Sequence, residues 1–422
     1  MSRYDVIVIG AGPAGCASAL FLHRSGLRVL VLDRAEFPRD KVCGEFISPA
    51  ADDILAELGV LEAIQQTQPM RLHGVAISSY GKPELCIDYP PDLHGRKSVT
   101  SLSLPRFQLD HLLVRKLSEQ GIEVRERHAV DDLIIEENQV TGVKGRDEAN
   151  RPFECSASVV VDASGRNGLS LRRLGLIRRK KGPGKIALAA HWECASFPRD
   201  YCYMHISSPG YTGMAPVGND SVNIVLVVED RYVKGQDLDD FYQTTVLGNN
   251  RRRSLLTGAL VKERVRSVGS LAYEVRPVPL GGLVLAGDTT GFIDPFTGEG
   301  IYLSLRSAQL ASGVIQKAFA EGNFSRSFLA EYDRQRHEEF DRKFILSRIL
   351  QSLIYRRRWC DAVVALLRRN PRMAQTLVGV IGDYLPADRV VSWRFLVEGI
   401  TSAVFPRPKT ASPVVKVSGM GR

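Results

Sequence analysis

Tyr4-Asp5-Val6-Ile7-Val8-Ile9, followed at once by Gly10-Ala11-Gly12-Pro13-Ala14-Gly15, is the stretch on which the fold turns. The first six residues read as a fully buried parallel strand, rich in β-branched side chains with no polar alternation. Pro13 to Ser25 reads as a helix, and Leu27 to Leu32 as a second buried strand. Strand, helix and strand within about 30 residues form a βαβ unit with a right-handed crossover. Glycines at 10, 12 and 15 permit a tight turn and a close backbone approach, so that helix amides face a pyrophosphate. Asp33 lies 18 residues past Gly15, at the end of the second strand, where a carboxylate accepts from ribose hydroxyls. Arg34 stands beside it.

The rest of the composition agrees with a folded, multidomain chain. At roughly 100–200 residues per domain, 422 residues make two or three. A content of 44% hydrophobic and 24% charged residues is ordinary for a globular core and excludes a disordered or collagenous chain. No apolar run is long enough for a spanning helix. The apolar start mimics a signal peptide, but Asp5 and the glycines after it argue for a strand. Seven scattered cysteines (16, 43, 86, 155, 194, 202 and 360) indicate a reducing, cytoplasmic setting rather than a disulfide framework. No CxxC pair exists, so no metal site is expected. The net charge is +9, yet residues 341–422 hold 15 Lys+Arg against 5 Asp+Glu, so the whole basic excess sits in the last fifth. A local basic region of this kind argues against nucleic acid and for a local role.

Further along, helices are expected at 51–65, 106–120 and 301–319, and a helical pattern from Ser325 nearly to Gly399. Antiparallel strands are expected within 68–100, and further strands at 123–127, 133–136, 159–162, 185–228 and 283–286. The tail after Phe405, with Pro406, Pro408 and Pro413, reads as mobile. Gly182-Pro183-Gly184 follows a basic run and no strand, so it is not a second dinucleotide fingerprint.

A second chemistry-bearing stretch is Gly287-Asp288-Thr289-Thr290-Gly291-Phe292-Ile293-Asp294-Pro295-Phe296-Thr297-Gly298-Glu299-Gly300-Ile301. A short strand delivers Asp288, placed for a ribityl or sugar hydroxyl, and a helix opens near Gly300, whose amides stabilise negative charge. This stretch resembles the second flavin-binding motif of the aromatic-hydroxylase-like flavoproteins, and within them the geranylgeranyl reductases and the related flavin-dependent halogenases. Lys41-Val42-Cys43-Gly44-Glu45 with Ser48-Pro49, Pro105-Arg106-Phe107 with Asp110, Val161 to Arg166 (VDASGR), and Gly210-Tyr211 to Val217 with Asn223 resemble further segments of that family.

The resemblance implies an α/β chain: a Rossmann-like FAD-binding domain, a mixed-sheet substrate domain and a helical C-terminal region. The FAD-binding domain is expected from 1–70, 101–177 and 276–330, the substrate domain from 71–100 and 178–275, and the basic helical region from 331–422. It implies FAD contacts from Gly10, Gly12, Pro13, Ala14, Gly15, Asp33, Arg34, Lys41, Gly44, Arg106, Val130, Asp288, Pro295, Gly298, Gly300 and Ile301. It places Glu45, Tyr211, Gly213, Ala215 and Phe296 in the substrate pocket, and Cys43 beside the flavin as a proton donor or pocket wall. Lys41 and the Gly44 amide are placed to lower the Cys43 pKa. His191 and His205 read as satisfied structural histidines and stay off the catalytic list.

Departures from the family also matter. Its Trp, Phe and Lys on the pocket strand fall at Gly213, Ala215 and Val217, which widens the pocket and removes a phosphate-binding lysine. The halogenase W-x-W-x-I-P signature is missing, since His191-Trp192-Glu193-Cys194 offers one tryptophan. The leading expectation is therefore reduction of a carbon–carbon double bond in a hydrophobic isoprenoid or polyketide-like substrate. NAD(P)H or another external donor supplies the electrons. The alternatives are hydroxylation of a phenolic or polyketide-like ring, and a non-catalytic flavin-binding or membrane-docking protein. Arg356-Arg357-Arg358-Trp359 and Leu366-Leu367-Arg368-Arg369 lie among apolar residues at helical spacing. They read as a packed cap on the FAD domain, burying Leu353, Ile354, Val363 and Leu367. The competing reading is peripheral contact with the inner face of a membrane.

Overall fold

The computed structural model describes residues 4–390, except 81, 94, 97, 180–183, 219, 270 and 293–294. The tail after Phe405, the helical pattern past Val390, residues 182–183 of the discounted glycine turn and the Pro295 side chain lie outside the described residues.

The opening strand Tyr4–Ile9 is the centre of a parallel sheet, with Val29–Leu32 on one side and Pro152–Asp162 on the other. Glu123–Arg125 extends one edge and Leu283–Leu285 the other, both in parallel. Alternate residues leave on opposite faces. Val6, Val8, Val29, Val31, Val159 and Val161 pack beneath helices Pro13–Arg24, Arg106–Glu119 and Gly300–Glu321. Ile7, Ile9, Leu30 and Leu32 face Leu133, Val140 and Val143 of the hairpin Ala129–Glu136 and Gln139–Arg146. Burial on both faces is why these strands show no polar alternation.

The strand expected at 159–162 is the end of an eleven-residue strand. Its first half pairs antiparallel with the hairpin and only its second half joins the parallel sheet. The helix expected over 51–65 is two short helices, Ala51–Glu57 and Leu61–Gln66, because Gly59 turns with φ +70° between them.

A second, eight-stranded sheet runs in the order Leu260–Val261, Lys185–Glu193, Ser221–Glu229, Gly210–Pro216, Tyr201–Ser207, Gly74–Ser79, Leu85–Asp88, with Arg266–Gly269 also on Lys185–Glu193. It is mixed, as expected: Gly74–Ser79 pairs antiparallel with Leu85–Asp88 and parallel with Tyr201–Ser207. One face carries Trp192, Tyr203, Met214 and Leu226 beneath helices Leu238–Leu247 and Asn250–Leu255. The other face looks toward the parallel sheet.

Three helices close the described chain: Arg326–Ile354, Arg357–Arg369 and Pro371–Ile381. They correct the expected cap. Val364, Leu367, Met373 and Val378 pack on Leu85, Ile87 and Tyr89 at the edge of the second sheet, not on the nucleotide-type domain. Ile354 packs with Tyr211 and Val227 on that sheet's inner face, while Leu353 and Val363 are only half-buried. The apolar stripe of the last helices matches the bare edge strand Leu85–Asp88, so covering it also removes an open sheet edge. Leu367→Ala should therefore cost about 2–5 kcal/mol in chemical denaturation. Exposed Trp359→Ala should stay within about 0.5 kcal/mol of the parent. Equal effects would place both side chains in the same environment.

Candidate active site

The turn between the first strand and helix closes around missing side chains. Gly10 has φ +97°, and a Cβ there would stand 2.7 Å from the Ala163 carbonyl oxygen. A Cβ on Gly15 would stand 1.8 Å from the Gly10 oxygen. Only Gly12 opens into space, with nothing nearer than Arg39 Nη2 at 3.8 Å. Gly10 and Gly15 are thus demanded by the turn itself, which reassigns Gly15 from pyrophosphate clearance to packing.

Asp33 braces the same turn. Its carboxylate accepts from the Ala11 N–H at 2.7 Å and the Ala35 N–H at 2.8 Å, so a ribose hydroxyl meets an oxygen already engaged by the backbone. Arg39 lies beside it, 3.9 Å from Asp33 and 3.4 Å from Asp110. Arg34 is exposed. Val130 is half-buried near this end, because the His128 N–H donates to the Asp33 carbonyl at 2.9 Å.

The second motif is registered against the first. Gly287, at φ +68°, leaves room for Ala14, whose Cβ would lie 2.8 Å from a Cβ at 287. The Asp162 carboxylate accepts from the Ser164 and Ser170 N–H groups at 3.0 and 2.8 Å, and the Thr289 hydroxyl donates to the Asp162 carbonyl at 2.7 Å. These bonds set Arg166 near Asp288, 3.9 Å away, and over the Phe292 ring. Gly298, at φ +75°, abuts Phe46.

Arg106 is the hub of the loop at 41–45. Its guanidinium makes two bonds to Asp110, at 2.9 and 2.8 Å, and also meets the Cys43 thiol. Its N–H donates to Glu45 Oε1 at 2.8 Å. The Cys43 sulfur accepts from the Glu45 N–H at 3.4 Å, not from Gly44. Asn223 Nδ2 donates to the Cys43 carbonyl at 2.7 Å and ties this loop to the second sheet. Burial pushes the Lys41 ammonium below its ordinary pKa; Arg106 adds to this and Asp288 opposes it.

Together these elements line a partly open cavity of about 130 Å³. One wall holds Gly12, Pro13, Ala14, Lys41, Cys43, Gly44, Arg106, Asp288, Gly298, Gly300 and Ile301. The facing wall is apolar: Ala187, Val225, Val268 and Leu271. Gly213 pairs with Val225 and Ala215 with Asn223, so both lie on this inner face, as the alignment of the strand required. Beyond a Cβ at Gly213 only Met204 comes within 4 Å, at 3.8 Å. Tyr211 and Phe296 pack edge to face at 5.1 Å on the same side.

Glu45 departs from its expected place. It is 1% exposed, has φ +56°, and lines a narrow side chamber rather than the main cavity. There His191 lies between two carboxylates, Nε2 2.8 Å from Glu45 and Nδ1 2.7 Å from Glu263. Arg266 links Glu263 to Asp40, at 2.7 and 3.0 Å. Burial alone would lower the His191 pKa, but the two carboxylates outweigh it and push it up to about 9. His191 was passed over in the sequence. Strand alternation was the available signal, since Ala187, Ala189 and His191 share one face. Glu263 and Arg39 carry no motif. His205, by contrast, is fully buried on the opposite face with Glu84 and Arg251.

The chain belongs to the FAD binding domain family, which matches residues 3–342. It is similar to a 1H-pyrrole-2-carbonyl-[peptidyl-carrier protein] chlorinase of Pseudomonas fluorescens, at 28% identity over 78% of this chain and 79% of that protein. It is similar to a menaquinone reductase of Mycolicibacterium smegmatis, at 27% over 93% of this chain and 94% of that protein. A digeranylgeranylglycerophospholipid reductase of Methanocella arvoryzae is 24% identical over 90% of this chain and the whole of that protein. Among solved structures, a flavoprotein/dehydrogenase of Cytophaga hutchinsonii shares the fold, with TM-score 0.81, 19% identity, and coverage of 96% of this chain and 98% of that one.

Two predictions follow from the geometry. Gly15→Ala should lower the melting temperature even of flavin-free protein, because its Cβ meets backbone. Gly12→Ala should leave that temperature unchanged and lower FAD affinity in a fluorescence titration. The second prediction concerns His191. Its folded pKa, about 9, exceeds the ordinary 6.5, so its charge stabilises the fold fully below pH 6.5 and the contribution is lost as pH climbs through 9. Urea unfolding of the parent and His191→Asn should therefore differ most at low pH and converge toward pH 9. A pH-independent difference would show that the imidazole is not held protonated.

Proposed function

We propose that this flavoprotein reduces a carbon–carbon double bond in a hydrophobic substrate of isoprenoid or polyketide-like type, drawing electrons from NAD(P)H or another external donor. The observation that carries the proposal is the cavity with two unlike walls, one built from both dinucleotide-type motifs and the other apolar. Bound FAD, once reduced, supplies the hydride such a reduction needs.

The residues present fit that group. Gly12 offers a cradle that any Cβ would narrow, at a helix end that no side chain caps. Asp288 lies in the cavity wall with a carboxylate available to a sugar or ribityl hydroxyl. Gly298 and Gly300 stand at the start of helix Gly300–Glu321, where backbone amides favour negative charge. Ala187, Val225, Val268 and Leu271 hold an apolar chain against that wall and exclude water from it.

Reduction of a double bond also consumes a proton. His191 holds one between Glu45 and Glu263, and Cys43 lines both the side chamber and the main cavity. The near-complete overlap with two proteins named as reductases, one of menaquinone and one of a digeranylgeranyl lipid, supports this class of chemistry. The single tryptophan in His191–Cys194 supports it over halogenation.

The test is anaerobic. Protein reduced with dithionite should be reoxidised by menaquinone or a geranylgeranyl lipid, and mass spectrometry should show the product richer by one hydrogen molecule. Reoxidation by oxygen alone, with an oxygen atom appearing in a phenolic product, would replace this reading with hydroxylation. Gly213→Trp should abolish turnover of the bulky substrate while FAD content stays stoichiometric. Undiminished turnover would mean that the substrate does not reach this strand.

A further inference from the structure

The helix Arg326–Ile354 exposes residues along its length, and in its last three turns Ile345, Arg348, Ile349 and Ser352 face solvent at helical spacing, leading into the corner at Arg356. Arg356, Arg357, Arg358 and Trp359 are all exposed there, and the next helix continues outward with Ala362, Ala365 and Arg369. Ile345, Ile349 and Trp359 are 42, 46 and 62% exposed, which sets large apolar side chains among arginines. Among the described residues no carboxylate pairs with Arg356, Arg357, Arg358 or Arg369. Two nearby acids are engaged elsewhere. Asp361 takes the Ser79 hydroxyl at 2.7 Å, and Glu274 faces Arg348 at 3.3 Å.

A stability role does not explain this surface. The same helices bury Ile354, Cys360, Val364 and Leu367, so their inward face is already satisfied. What remains, among the described residues, is a cationic corner without carboxylate partners, in which Arg357 lies over the Tyr80 ring, with exposed Trp359 beside it and Ile345 and Ile349 on the preceding helix. Phosphate backbones would satisfy the arginines but not the apolar side chains. An anionic bilayer satisfies both, since arginines reach lipid phosphates while Trp and Ile enter the acyl boundary.

The location adds a second argument. Ile354, Tyr355 and Cys360, on the inner side of this corner, belong to one apolar cluster with Ala187, Val268, Leu271 and Phe292. Those four residues line the main cavity. The exposed corner and the apolar cavity wall are therefore joined through one apolar cluster.

We propose that the face formed by Ile345, Ile349, Arg356, Arg358, Trp359 and Arg369 docks on an anionic lipid surface, setting the apolar wall of the cavity next to the bilayer. Docking itself does not depend on the reductase reading. That reading supplies only the reason for it, a substrate that partitions into membrane.

The test uses the full-length, FAD-loaded protein and needs no turnover, so its failure and that of the reductase reading are separable. Protein is co-sedimented with vesicles of phosphatidylglycerol and phosphatidylcholine, and with phosphatidylcholine alone, at low and high salt. Binding to the anionic vesicles, weakened by salt and by each of Arg356→Ala, Arg358→Ala and Arg369→Ala, is expected. The expected loss is about fivefold per arginine, equivalent to about 1 kcal/mol. Brominated lipid should quench a tryptophan signal that disappears in Trp359→Phe. FAD content and melting temperature should not change in these variants, which confirms that they fold. No binding to anionic vesicles, or equal binding by parent and the triple alanine variant, would overturn the proposal. So would binding to single-stranded RNA that anionic vesicles do not compete away.

Discussion

Helix Pro13–Arg24 meets strand Tyr4–Ile9 as closely as it does only because residue 15 has no side chain: a Cβ there would stand 1.8 Å from the Gly10 oxygen. The rest of the site depends on that approach. It brings the helix end over the strand end and leaves Gly12 facing the cavity. It also places Ala14 against Gly287, so the second motif is registered on the first across more than 270 residues of chain. Asp33 then holds the turn from the neighbouring strand through the Ala11 N–H. One missing methyl group thus aligns four segments that are far apart in sequence, because close-packed backbone leaves no other solution.

Charge is handled in the same economical way around the cavity. Arg106 and Asp110 are both buried and satisfy each other with two bonds, which makes the cost of taking them out of water tolerable. Arg106 in turn orients Glu45 through its backbone N–H, and Glu45 orients His191. The left-handed backbone of Glu45 is an unfavourable conformation for a side chain of that size. It is held by bonds on both sides, from Arg106 and from the imidazole. An ion network of this kind keeps an imidazolium in a chamber that opens beside an otherwise apolar wall.

The C-terminal helices touch the elements around both large sheets as well as covering a sheet edge. Lys343, on the long helix, approaches Glu299, the residue that begins helix Gly300–Glu321, and contacts Asp383 beyond the last helix. Burial raises the Glu299 carboxyl above its ordinary pKa, and Lys343 opposes that rise. The start of the second motif's helix therefore rests on the C-terminal region from behind, while Ile354 and Cys360 join the apolar cluster that includes Ala187 and Leu271 of the cavity wall.

Local pattern was enough for the βαβ start and its glycine turn, while the role of the second glycine motif and the inner-face position of Gly213 and Ala215 came from the resemblance to the flavoprotein family. The first two are properties of strand period, turn conformation and helix ends, all set within a dozen residues. The charged groups were not legible in this way. His191 and Glu263, and Arg39 with Asp110, take their partners from segments tens to more than a hundred residues away, and no spacing rule links such pairs. The side on which the C-terminal helices pack was equally closed to the sequence. An apolar stripe specifies that something must be buried, but not which bare surface will bury it. The edge strand Leu85–Asp88 supplied that surface, and only the assembled sheets decided that it was this edge rather than the nucleotide-type domain.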